Sequence, residues 1–156
     1  MTKTELQEMI SAEQDGIKKQ RLLDLLDKMI FFEREERPLV NELNDIGLKV
    51  ESVWDLVNNR PHPYLKDNFT GDYEMAYPIL IKHLDFDYHP RVKEGIIRSL
   101  TEKKAAKLAA DRILELFHKE PDKNLKWVMA NALRTMLTWR QREKYPEIKE
   151  VLKGTE

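Results

Sequence analysis

Nine residues from Val92 to Leu100 lie over nine residues from Leu125 to Leu133 at an offset of 33. Apolar positions match: Val92 falls on Leu125, Ile96 on Met129 and Leu100 on Leu133. Upstream, Ile79-Leu80 lies over Ile113-Leu114 at an offset of 34. Each copy reads as a helix, a short polar turn with an acidic residue, and a second helix. A two-helix unit of that length cannot bury its own apolar face, so neighbouring units must stack into a solenoid. A partial further copy, Tyr145-Pro146 to Leu152, lies over Tyr77-Pro78 to Leu84 at an offset of 68.

The rest of the chain is organised around that stretch. Thr2 and Glu5 stand at capping-box spacing and open a first helix carrying Leu6, Met9 and Ile10. Gly16 is expected to weaken or break it. From Ile17 the pattern resumes through Leu22, Leu23, Leu25, Leu26, Met29, Ile30 and Phe32. That face is wide enough to be packed on more than one side. Pro38 to Ile46 reads as a short helix closed by Gly47, and Ser52-Val53-Trp54-Asp55 opens another. This looser pair suits the end of an array, where repeats are atypical. Asn and Pro break the pattern after Val57, and Tyr64 or Phe69 is expected to dock that loop on the core.

Within the repeats, Met75, Ala76, Ile79, Leu80 and Leu84 are expected to face inward, followed by Val92, Ile96, Ile97 and Leu100. Ala105, Ala106, Leu108, Ala109, Ile113, Leu114 and Phe117 line the next helix, which Thr101 caps. Leu125, Val128, Met129, Ala132, Leu133, Met136 and Leu137 line the one after. Gly95 is a poor helix former, and it allows close approach of a neighbouring helix. One helical-repeat domain over residues 1–156 is expected, with divergent helices in 1–60 and regular repeats in 72–153.

Composition agrees with an all-α reading. The chain is 41% hydrophobic and 35% charged, with only 5 glycines among its 156 residues, a balance that favours helix over sheet. It has no cysteine, which excludes disulfides, Cys-ligated zinc and thiol catalysis and fits a reducing, cytoplasmic setting. Met1-Thr2-Lys3 leads directly into an amphipathic pattern, so no signal peptide is expected. The apolar runs are too short to span a membrane. The net charge of −1 hides an asymmetry. Residues 1–88 hold 11 Lys and Arg against 18 Asp and Glu, whereas residues 89–156 hold 16 against 10. An acidic N-terminal half and a basic C-terminal half make a charge dipole, with the basic side suited to an acidic partner.

The helix pairs resemble HEAT repeats, specifically the short HEAT-like arrays of bacterial proteins. Asp87, Pro90, Val92, Ile96, Ser99 and Leu100 carry the likeness in one copy. Asp122, Leu125, Met129, Ala132 and Leu133 carry it in the next. It covers about residues 72–153 well and 1–60 loosely, and armadillo-like or other α-α superhelices share so degenerate a pattern. Lys93 and Lys126 occupy the place where the family commonly has a basic residue, while Arg91 precedes it, so the inter-repeat Asp–Arg ladder is only partly matched. The resemblance implies a right-handed α-α superhelix of helical hairpins. It also implies a concave side, lined by the second helices, that binds proteins in most members and nucleic acid in some.

Helical spacing puts Arg91, Glu94, Arg98 and Thr101 on the solvent stripe of one second helix, and Trp127, Asn131 and Arg134 on the next. A tryptophan among Arg and Asn has the composition of an interface hot spot. Aromatics at helical spacing are more often core, which weighs against an exposed Trp127. Arg91, Glu94, Arg98, Trp127, Asn131 and Arg134 are therefore the candidate partner-binding residues.

No Gly-rich phosphate loop, no Gly-x-Ser-x-Gly and no His-Glu-x-x-His is present. No two of His62, His83, His89 and His118 share a helix face at metal-ligand spacing, and His83 and His118 close helices, where the dipole favours them. No catalytic residue, metal or cofactor is expected. A non-catalytic protein-binding module, monomeric or homodimeric, fits these features, with adaptor and toxin-neutralising roles both compatible. The alternative is nucleic-acid binding, with Arg91, Arg98, Lys126, Arg134, Arg140 and Arg142 interleaved with Trp127 and Trp139. On that reading the chain is similar in architecture to HEAT-like DNA glycosylases, and Glu94 beside Trp127 would be the acidic residue such an enzyme needs.

Overall fold

The structure is a computed structural model that describes residues 2–60 and 69–154. Among these residues the chain forms ten α-helices and two 3₁₀ turns, with no strand. The helices are α1 (Lys3–Ala12), α2 (Gly16–Glu35), α3 (Arg37–Asp45), α4 (Trp54–Asn58) and α5 (Tyr77–His83). They continue with α6 (Pro90–Ser99), α7 (Ala106–Lys119), α8 (Lys123–Met136), α9 (Trp139–Glu143) and α10 (Pro146–Lys153).

Local sequence signals set most of these boundaries. Thr2 and Glu5 form the expected capping box on α1. The Asp15 side chain accepts from the backbone N–H groups of Ile17 and Lys18, so Gly16 starts α2 rather than breaking a helix. Pro38, Pro78, Pro90 and Pro146 all fall in first turns, where a missing donor costs nothing. Gly47 follows α3 with φ of +97°, the left-handed conformation that glycine adopts freely. The helix α9 has its own capping box from Thr138 and Gln141, a signal the repeat pattern conceals.

The helices after α2 stack in two layers. α3, α5 and α7 pack in succession, α4, α6 and α8 do the same beside them, and α10 packs on α8. One cluster of buried side chains runs from Leu39 in α3 to Ile148 in α10. Gly95 lies where α6 meets α4: a Cβ there would stand 2.7 Å from Val53 Cγ1 and 2.9 Å from Trp54 Nε1. The close helix approach expected at this glycine is therefore real. Asn59 closes the loop before α5, donating from Nδ2 to the Gly71 carbonyl and accepting from its N–H, both at 2.7 Å. Phe69 packs on the core and edge-on against Tyr73, while Tyr64 lies outside the described residues.

Two inward assignments and one cap are corrected. Met75 and Leu108 are each 57% exposed. Met75 lies in the 3₁₀ turn Glu74–Ala76, whose tighter winding shifts the phase so that Tyr77 enters the core instead. In α7 the inward stripe is Ala109, Ile113 and Phe117, and Leu108 stands about 100° off it. Thr101 does not cap the following helix, because its hydroxyl donates back to the Ile97 carbonyl at 2.8 Å and closes α6.

The hairpin α1–α2 stands apart. Leu6 and Ile10 are buried outside the main cluster, and no residue of α2 is fully buried. The apolar face read from Leu22 to Phe32 is covered chiefly by α1, and Phe32 at its end packs against the main cluster.

Candidate binding surface

The six candidate residues sit on α6 and α8, which pack against each other. On α6, the Arg98 Nε donates to Glu94 Oε2 at 3.0 Å. Asn124 of α8 donates to the other Glu94 oxygen at 2.7 Å. Glu94 thus has both carboxylate oxygens engaged and joins the two helices, with only 15% of its side chain exposed. Farther along α8, Arg134 donates to Asn131 Oδ1 at 2.6 Å. Arg91 stacks its guanidinium over the Trp54 ring at 4.5 Å, while the Trp54 indole N–H donates to the Arg91 carbonyl at 3.2 Å. Trp127 is half-buried and rests on the core, so it contributes an edge rather than a free ring.

This arrangement is a surface of pre-oriented hydrogen-bonding groups. Each arginine keeps further N–H donors free for an acceptor beyond those used internally. The side chains are held by one another, which lowers the entropy cost of engaging a partner. The Asn124 contact was not anticipated, since it depends on how far α6 and α8 are offset and not on spacing within either helix.

A groove of about 1380 Å³ opens between the hairpin and the array. Leu25, Met29 and Phe32 of α2 line one wall, and Val40, Trp54 and Val92 line the other. Arg91 lies at its edge, so the groove and the α6 surface share a residue. The Phe32 and His89 rings meet edge-on with centroids 5.0 Å apart, and Glu35 accepts from the His89 N–H at 2.9 Å. These lining residues come from four helices, which is why no local motif announces the groove.

Two buried acid–base clusters support the scaffold. Glu36 is 4% exposed and accepts from the Val53 N–H at 3.3 Å. Burial raises its pKa, partly offset by hydrogen bonds from Ser52 and Val53. His83 closes α5 as the helix-end reading had it, but its ring is 1% exposed. Its Nδ1 meets the Tyr88 hydroxyl at 2.7 Å and its Nε2 meets Glu42 at 2.5 Å. Hydrogen bonds from Lys82 and then His83 hold the Glu42 carboxyl below its usual range, and burial pushes the Tyr88 phenol up to about 12. His118 sits in the open and pairs with Glu147 at 2.8 Å. Every ring nitrogen of His83 is used in tying α3, α5 and the following turn together.

Among the described residues no group of three or more His, Cys, Asp or Glu could hold a metal ion. No helix among them is long and apolar enough to cross a membrane. No family model, curated protein or solved structure matches the chain.

Proposed function

We propose that the chain is a non-catalytic protein-interaction module, a short HEAT-like array whose second helices form the concave binding face of a right-handed superhelix. The partner presents an acidic segment to Arg91, Arg98 and Arg134. The observation that carries this reading is the side-by-side packing of α4, α6 and α8, with Glu94 and Asn124 holding Arg98 in place across two of them. Interfaces favour arginine because its planar fork pairs with carboxylates in two bonds.

The test is affinity capture with the full chain from its own cells, read by mass spectrometry. A partner retained by the natural protein should be lost by R98E/R134E and kept by Lys107→Glu on the opposite layer. Equal loss with Lys107→Glu, or no loss with R98E/R134E, rejects this face. Arg98 and Arg134 are chosen because Trp127 rests on the core, and truncating it would also cost stability.

One observation favours the second reading, nucleic-acid binding. Trp139 is 65% exposed at the start of α9, next to Arg140, in the basic half of the chain. An open indole beside arginines is a stacking platform for unpaired bases. On this reading, binding to single-stranded oligonucleotide falls steeply as salt rises and is lost in Trp139→Ala. Absence of binding at low salt removes it.

A further inference from the structure

His89 joins two parts of the molecule that lie far apart along the chain. Its backbone N–H donates to Glu35 Oε1 at 2.9 Å. Its ring meets Phe32 and Phe31 of α2 edge-on, with centroids 5.0 Å and 6.1 Å apart. The same ring caps α6, because Nδ1 accepts from the Arg91 N–H at 3.0 Å. One side chain thus closes the start of a helix of the array and touches the hairpin across the groove.

The cap fixes the charge state of that ring. An imidazole nitrogen accepts a hydrogen bond only while it carries no proton, and both nitrogens of an imidazolium are donors. A protonated ring in this position would aim an N–H at the Arg91 N–H, so it has to leave. It would also place positive charge at the positive end of the α6 dipole. The first turn of α6 has no acidic residue to offset that charge, and it already carries Arg91 and Lys93.

The other charges near His89 are of both signs. On its own segment, Asp87 pairs with Lys93 at 3.9 Å. From α2, Glu35 is the carboxylate in contact, and it is already engaged by the backbone N–H. An ion pair between it and a charged imidazole at the open edge of the groove contributes little against the lost cap and the lost ring contact. Lys28, Glu33, Glu36 and Arg37 line the same groove from α2, α3 and the junction between them. His89 is exposed, so protons reach it from solvent. Histidine is the side chain that ordinarily changes charge near neutral pH.

We propose that His89 is a proton-operated latch. Neutral, it caps α6 and holds the α1–α2 hairpin against the array. Protonated, it releases both and opens the groove between them. The latch is independent of what α6 and α8 bind.

Distances between spin labels on the full chain test this. The chain has no cysteine, so K19C/K107C carries one label on α2 and one on α7 and no others. At about pH 7.5 the separation should be short and narrowly distributed, and at about pH 5 it should shift to longer values and broaden. An unchanged or shorter separation at the lower pH overturns the proposal. Adding H89N supplies a cap acceptor that does not titrate, so the shift on acidification should be lost. A shift that persists in H89N assigns the response to other groups and also overturns the latch. Acidification protonates Glu36 as well, but burial favours its neutral form, so that effect tightens the junction and is retained in H89N. Adding H89K instead gives a fixed charge with no acceptor. It should show the long separation already at about pH 7.5, with helix content by circular dichroism unchanged, and a short separation there counts against the latch.

Discussion

α7 and α2 are built from similar materials and held by different forces. α7 packs against α5 and α8, and Ala109, Ala110, Ile113 and Phe117 are buried along it. α2 is the longer helix, yet none of its residues is fully buried. It is held by the Asp15 cap, by local pairs such as Gln20 to Asp24 at 3.0 Å, and by α1. Caps and single side-chain pairs contribute roughly 0.2–2 kcal/mol each, whereas burying one large apolar side chain contributes about 1.5–3 kcal/mol. Helix formation is therefore a shared property of the two segments. Burial on two sides belongs to α7, and exposed apolar side chains belong to α2.

The largest expected effect sets the two phenylalanines against each other. Phe117 is fully buried, and Phe117→Ala should cost about 3–5 kcal/mol in urea denaturation. Phe31 is 50% exposed, and Phe31→Ala should cost less than about 1 kcal/mol. Equal losses would mean the hairpin is packed as tightly as the array. Next in size is Gly95→Ala, at the α4–α6 contact. The new methyl meets Val53, a stiff and fully buried side chain, so overpacking outweighs the gain in helix propensity. A net loss of about 1–2 kcal/mol in thermal melts is expected, where an exposed helical glycine would show a gain.

The smallest effect lies at Glu36, the residue between α2 and α3. Burial raises its pKa in the folded state. The native protein therefore holds this proton more tightly than the unfolded chain does. The resulting stabilisation is full below the ordinary glutamate range and is lost as pH rises through the folded pKa. Glu36→Gln keeps an acceptor for Val53 without the charge. It should raise the melting temperature at about pH 7 and leave it nearly unchanged at about pH 4. A variant less stable than the natural protein at both values would show that the carboxylate itself is needed at the junction.

Much of the array was legible in the order of residues. The offset of Val92–Leu100 onto Leu125–Leu133 and the prolines at 38, 90 and 146 located helix pairs that the structure contains. Inward stripes were correct where a helix was regular and failed at Met75, where a 3₁₀ turn changed the phase, and at Leu108. The site was less legible. Spacing placed Arg91, Glu94, Arg98, Asn131 and Arg134 on α6 and α8, but it left Trp127 more open than it is. It also could not supply Asn124, which reaches Glu94 from the next helix. The groove beside Phe32 and Trp54 was invisible, since its walls are far apart along the chain.

The amino-acid order alone determined that the chain is helical, where several of its helices begin, and that helix pairs recur. Those signals act within one or two turns, through caps, proline, glycine and periodic apolar residues. Only the tertiary structure decided which apolar faces are used. Large apolar residues occur in both α7 and α2, so their presence alone does not tell which are covered. Ile113 is fully buried and Ile17 is 70% exposed, though both are isoleucines within α-helices. Burial is a property of the neighbours a helix meets, and those neighbours arrive from distant parts of the chain.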